Sequence, residues 1–422
     1  MSRSLFRKAE KFSVYFQTGL PKIYAVLETP AVLASGTQPV REHSFASLNL
    51  MRGLSAFAVL FSHTAAIVSE DHPLVQFNWG SLAVDVFMLI SGFLMMWHFY
   101  ERRQRGEAWG SASTCLKFYT RRFFRIAPLY YCLLVVVFCL HSNLRGWEQQ
   151  NGSLLHQTLV QNPHYPTSVG LTWAYVVAHF SFLFGFIPSF VMGSFLPDWS
   201  IGLEMQFYLF FPFLALLLER SEFIGGVVAL LGINWLAVHC FNVGIAAVPG
   251  PLGLFPFPTF WPLKINIFLV GMLVAAGLFE KKRPARRMLL LLLGLLVAGL
   301  YMKKFLLITF IFAGYELAFA GGTGLALIEN CGKRIESLLQ HRLCGFAADT
   351  SYGVYLIHAP VLILMVHLLT TLTPFAAWPG IQRFLICLVL IIPLAYSLAF
   401  LTFKYVETPG IALGRKLIKR IR

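Results

Sequence analysis

The sequence predicts an all-α, polytopic transmembrane helix bundle of about ten spans plus one re-entrant or interfacial helix, with both termini cytosolic. Composition is the first reason. Of 422 residues 57% are hydrophobic and 13% charged, with a mean hydropathy of +0.68, whereas soluble domains carry about 25% charged residues. The second reason is that apolar runs recur along the whole chain at lengths near the ~20 residues needed to cross a bilayer. The third is the placement of the cations. With ten spans, 29 of the 34 Lys and Arg fall on cytosolic segments, which is the positive-inside pattern. The net charge of +15 therefore reports membrane topology and gives no footing for nucleic acid, since the basic residues are scattered over short loops between apolar runs.

Taken in order, residues 1–47 form a basic cytosolic tail with Pro21, Pro30 and Pro39, and a short interfacial helix is expected over 5–17. No cleavable signal is expected, because Glu28 and Pro30 break the weakly apolar stretch over 23–34. The transmembrane domain covers 48–403. Its spans are expected at 48–69, 80–100, 126–141, 199–218, 222–242, 260–279, 288–302, 305–328, 350–372 and 381–403. Residues 171–187 are apolar but short and stop at Pro188. A full crossing there would put every later basic cluster outside, so they read as re-entrant or interfacial. A basic, amphipathic cytosolic tail closes the chain over 404–422. Seven cysteines show no paired or metal-ligand spacing, so neither a disulfide framework nor a metal site is expected.

The ionisable residues inside these spans are the candidate site. Arg52 and His63 lie eleven residues apart in the first span. Eleven steps of about 100° place both on one face, roughly 16 Å apart along the axis. Alone, the pair also fits a snorkelling anchor and a packed histidine. The topology adds that His63, Asp85 and Glu204 all fall in the outer half of the bilayer, at similar depth. Ionisable groups in hydrocarbon are costly and mark sites or pathways. A histidine beside a carboxylate gains basicity and a fixed tautomer, which suits general-base chemistry. His358 is expected near the bilayer middle and joins the catalytic candidates. A second layer, Arg52, Arg121, Arg122 and Arg125, faces the cytosol. Arginine recognises phosphate bidentately, although positive-inside anchoring explains many such residues. His98, His179, His239 and His367 read as packing residues.

These residues sit in motifs. Arg52 and His63 form R-x10-H. Val84-Asp-Val-Phe-Met-Leu-Ile-Ser-Gly-Phe-Leu94 follows, then Arg122-x-x-Arg125 with Ile-Ala-Pro-Leu-Tyr130. Trp199-Ser-Ile-Gly-Leu-Glu204-Met-Gln-Phe-Tyr208 precedes Phe-Pro212, and Ser351-Tyr352 leads to His358. Glu407-Thr-Pro409 comes after the last span. In this order, over about 85% of the chain, they resemble the acyltransferase-3 family of integral-membrane acyltransferases. Ala83 stands where that family usually has Gly, and Met88 where it has Phe; neither change removes an ionisable group.

The resemblance implies transfer of an acyl group, usually acetyl from acetyl-CoA, to a hydroxyl of a carbohydrate such as O-antigen, exopolysaccharide or a lipid-linked sugar, at the bacterial inner membrane. It implies His63 as the catalytic histidine and Arg52, Arg122 and Arg125 as donor-binding residues. Ser91, Tyr208 and Tyr352 are candidates for oxyanion or substrate contacts. The hydrolase-like domain fused to some members is not expected after span ten, which weighs against peptidoglycan as acceptor. The competing class is a proton-coupled transporter or flippase of an envelope glycan, which buried His, Asp and Glu would also suit; the inverted repeats of many such carriers are not evident in the sequence.

Overall fold

A computed structural model describes residues 45–68, 79–155, 170–191, 194–244, 247, 249–319 and 326–421, with the side chains of 319, 326–329 and 333 excepted. The N-terminal tail before residue 45, its interfacial helix, and the loop stretch 156–169 lie outside the described residues.

The first apolar run is helix α1 (Ala46–Val68), and the second is α2 (Trp79–Gln104). The third is longer than the span within it: α3 (Ala112–Cys139) starts at Ser111, whose side chain accepts a hydrogen bond from the Thr114 amide. That cap satisfies an amide the helix leaves unpaired, and it carries the helix back over the arginine cluster. Next come α4 (His141–Leu154) and α5 (Trp173–Phe180). At 8 residues, α5 is about 12 Å long, under half of the ~30 Å hydrocarbon core. Two 3-10 turns follow it before α6 (Trp199–Arg220).

The later helices are α7 (Ile224–Cys240), α8 (Ile265–Phe279), α9 (Pro284–Tyr301), α10 (Lys303–Phe319), α12 (Arg342–Leu372) and α13 (Gly380–Thr402), with the short α11 (Ala326–Leu339) before α12. Seven of the described helices are long and apolar enough to cross a membrane, the run Gly380–Ile418 counted as one, while α7 and α8 are shorter and apolar. The protein is a polytopic helical membrane protein. A parallel pairing of β1 (Phe241–Val243) with β2 (Gly253–Phe255) is the only sheet among the described residues.

Helix α8 sits at the centre. Every residue from Ile265 to Leu278 is buried, as a helix apolar on all sides requires. It packs against α2 at unusually short range. A Cβ on Gly92 would stand 2.1 Å from the Phe268 carbonyl oxygen, and one on Gly271 would stand 2.1 Å from that of Leu89. Small residues let membrane helices approach this closely. A second apolar cluster joins α1, α12 and α13 through Ala56, Leu60, Val354, Val366, Ile391 and Ala395. The segment expected as a tail from 404 continues α13 through a π turn (Phe403–Glu407) into α14 (Thr408–Ile418). There Gly410 and Gly414 pack on Pro128 and Phe124 of α3.

Candidate active site

One stripe from each of several helices closes around a cavity of about 140 Å³. From α2 come Val84, Phe87, Met88, Ile90, Ser91, Leu94 and Met95, most of them at the three- and four-residue spacing of one helical face. From α6 come Ser200, Ile201, Glu204 and Tyr208, and from α12 Ser351, Tyr352 and Tyr355. Arg52 of α1, Arg122, Arg125 and Ile126 of α3, and Phe268 of α8 complete the wall. The structure thus brings together Arg52, Arg122, Arg125, Ser91, Glu204, Tyr208 and Tyr352.

The arginines are held differently. Arg125 Nη1 donates to Glu407 Oε2 at 2.9 Å, and its guanidinium lies 6.0 Å from the Tyr352 ring centre. Glu407 is 1% exposed. Its position in a π turn fits the frequent occurrence of such turns at functional places. Arg122 rests on the faces of Phe118 and Tyr208, at 5.9 and 5.6 Å. Its Nε is buried with no hydrogen-bond partner among the described residues. A buried donor of this kind is costly unless an acceptor reaches it.

Glu204 gathers the hydroxyls. Its Oε1 accepts from Ser91 Oγ at 2.5 Å and also from the Tyr208 hydroxyl. The Tyr352 hydroxyl donates to the Ile126 carbonyl at 2.9 Å. Tyr355 donates to the Pro197 carbonyl at 2.8 Å, so Ser200 Oγ, 2.6 Å from the same hydroxyl, is the donor to it.

His63 stands beyond Tyr355, along the same two helices. Its Nδ1 is 2.9 Å from Nε2 of His358, and the ring centres are 5.0 Å apart. His358 is fully buried and His63 half-buried. The His358 ring centre lies 6.2 Å from that of Tyr355. The pair therefore begins one helical turn past the last cavity residue of α12.

This corrects one expectation. Among the described residues neither Asp85 nor Glu204 is hydrogen-bonded to His63; the side chain it meets is that of His358. Glu204 belongs to the hydroxyl group just described. Asp85 follows Val84 by one residue, about 100° around α2, and so faces α8 rather than the cavity. There it is 1% exposed and accepts from Lys264 Nζ at 2.8 Å and from the Tyr301 hydroxyl at 2.7 Å. Similar depth in the bilayer says nothing of direction around a helix, and direction decided the partners.

Lys264, Tyr301, Ser200 and Tyr355 were not singled out in the sequence. A lone lysine at the start of an apolar run was the available signal for Lys264, because such a cation needs a carboxylate. Tyr355 was legible as the residue four after Ser351 and three before His358, on the same stripe. Of the histidines read as packing residues, His179 is fully buried and stacked on Phe184 at 4.3 Å, while His367 stacks on Trp147 at 5.3 Å. Among the described residues no cluster of His, Cys, Asp and Glu has the arrangement of a metal site.

Comparisons with known proteins place the chain in a family. A family model described as an acyltransferase domain, of the Acyl_transf_3 type, matches residues 45–400. Peptidoglycan O-acetyltransferase OatA of Listeria monocytogenes is 24% identical over 391 residues, covering 86% of this chain and 55% of that protein. Nodulation protein 10 of Rhizobium leguminosarum bv. viciae is 26% identical over 413 residues, covering 90% of this chain and 98% of that protein. Acyltransferase MdmB of Streptomyces mycarofaciens is 29% identical over 185 residues, 41% of this chain and 40% of that one. The chain thus spans about half the length of the Listeria relative and nearly all of the Rhizobium one. No solved structure gives a significant match. With the family model covering most of the chain, the protein belongs to the acyltransferase-3 family of membrane acyltransferases, enzymes that transfer groups other than amino-acyl groups.

Proposed function

We propose that the protein moves an acetyl group from acetyl-CoA to a hydroxyl of an envelope or exported carbohydrate, with His63 as general base. The observation that carries this is the arrangement along α1: Arg52 lines one end of a cavity with Arg122 and Arg125, and His63 stands past its other end, paired with His358.

The charge pattern supports an orientation in which both termini and the arginine layer face the cytosol of a bacterial inner membrane. Acetyl-CoA then arrives from the side where it is made. Its phosphates meet Arg122 and Arg125, and also Arg52, through charge-assisted hydrogen bonds. The buried Nε of Arg122, unpaired among the described residues, supports an anionic ligand there. The pantetheine arm follows the cavity toward Tyr355. The acceptor hydroxyl enters from the opposite face and gives its proton to His63, and its oxygen attacks the thioester carbonyl. The tetrahedral intermediate collapses with release of the CoA thiolate, which takes the proton from the imidazolium. Ser91, Tyr208 and Tyr352 have their hydroxyl protons on Glu204 and a backbone carbonyl. An oxyanion contact from any of them requires that bond to be exchanged. Asp85 leaves the catalytic set in this reading and serves as a structural anion.

The likeness to a peptidoglycan O-acetyltransferase supports O-acetyl transfer to a glycan. The test compares alkali-labile acetyl esters on surface carbohydrate from cells with the native protein, without it, and with His63→Ala. Loss of esters in the last two, with the variant still in the membrane fraction, is the expected outcome. Full ester content with His63→Ala overturns the base assignment. Unchanged esters with altered glycan export in cells lacking the protein would point to a carrier instead.

A further inference from the structure

We infer that His358 is a positioning residue that fixes the tautomer of His63, so that Nε2 of His63 is the atom that takes the acceptor's proton. This rests on the reading of His63 as general base.

The argument starts from a backbone carbonyl. His358 Nδ1 lies 3.0 Å from the Val354 carbonyl oxygen, four residues back on α12. A carbonyl only accepts, so Nδ1 must carry a proton. Helical histidines elsewhere in the chain make the same bond: His179 to the Tyr175 carbonyl at 3.0 Å and His239 to that of Trp235 at 2.8 Å. The helix itself thus sets which ring nitrogen is protonated. In a neutral imidazole the other nitrogen is then a bare acceptor. For His358 that is Nε2, and it faces His63 Nδ1 at 2.9 Å.

Two bare nitrogens at that distance would repel, so His63 Nδ1 carries the proton and donates it. His63 Nε2 is left with its lone pair. It makes no hydrogen bond to another described residue. The alternative, a doubly protonated His358, would put a fully buried cation among the apolar residues of α1, α12 and α13, with no carboxylate hydrogen-bonded to either ring among the described residues. Such a charge is expensive. When His63 Nε2 takes a proton, its Nδ1–H bond to His358 becomes charge-assisted and strengthens. His358 itself gains and loses no proton. The order is therefore carbonyl, His358, His63, acceptor hydroxyl, with a neutral histidine where hydrolase triads use a carboxylate.

Three variants of the full-length protein in detergent or proteoliposomes test this, with acetyl-CoA as donor and a purified acceptor glycan. His358→Leu removes the acceptor for Nδ1–H. It is expected to lower kcat about 100-fold or more while donor KM stays within about twofold, the range that general-base work supplies. His358→Gln keeps an amide oxygen where Nε2 stood and is expected to recover kcat to within about tenfold of the native protein. Thermal unfolding of each variant separates these effects from loss of fold. If His63→Ala is inactive while His358→Leu and His358→Gln fall equally, or neither falls, the positioning role is overturned and the base survives. If His63→Ala is active, the base assignment itself has failed.

Discussion

Arg125 shows how a single side chain links sequence to site. It is one of many arginines in a basic stretch, and anchoring would explain it. Its bond to Glu407, 282 residues away in sequence, turns it into the wall of a cavity. Glu407 accepts from one guanidinium nitrogen, and the proposed docking gives the others to the donor's phosphates. Arg125→Ala is expected to raise donor KM about tenfold to a hundredfold, since a hydrogen bond to a charged group contributes about 1.5–3 kcal/mol. Steady-state kinetics against acetyl-CoA check this, and an unchanged KM refutes the docking assignment. His63 was legible as a candidate site residue because a histidine deep in an apolar run requires an explanation. Its partner was not, because His358 lies 295 residues away and only packing of α12 on α1 brings the rings together.

Among the elements, α2 carries two faces with separate duties. Val84, Met88, Ser91 and Met95 form a wall of the cavity. Asp85, Leu89 and Gly92 face α8, where glycines at 92 and 271 let the backbones meet and Lys264 neutralises Asp85. Breaking such a buried pair by removing one partner costs about 3–5 kcal/mol, whereas replacing both with apolar groups is often near neutral. Asp85→Ala and Lys264→Met are therefore each expected to lower the unfolding temperature in detergent, and the double substitution to recover most of the loss. Equal, additive losses would argue against the pair. In the sequence the two faces read as one motif running from Val84 to Leu94. A motif records which residues occur together and not which way each one points. Asp85 was therefore grouped with His63 by depth, although the helix turns it toward α8.

At the scale of the molecule, topology is the property most open to test. With the arginine layer inside, a fluorescent-protein fusion after Arg422 is expected to glow. Alkaline phosphatase inserted between β1 and β2 is expected to be active, being on the outer face. The reverse pattern would place the donor site on the wrong side for acetyl-CoA. Two features of the helical frame bear on this reading. Segment α5 is too short to cross, in line with the cation count. The continuous α13–α14 run is fixed to α3 at Gly410 and Gly414, which ties the C-terminal basic segment to the arginine helix.

The sequence by itself determined the class of the protein, the order of its long apolar helices and the family, because hydrocarbon forces the backbone into helices and exacts a recognisable cost for each ionisable residue within them. It also determined which residues were candidates, from Arg52 and His63 to Glu204 and His358. Only the tertiary structure decided their partners: His63 with His358, Asp85 with Lys264, Glu204 with Ser91 and Tyr208, and Arg125 with Glu407. The physical reason is that depth in a membrane follows from counting residues, at 1.5 Å each. Which face meets which neighbour follows from close packing between helices far apart in the chain, and counting along one helix carries no record of that.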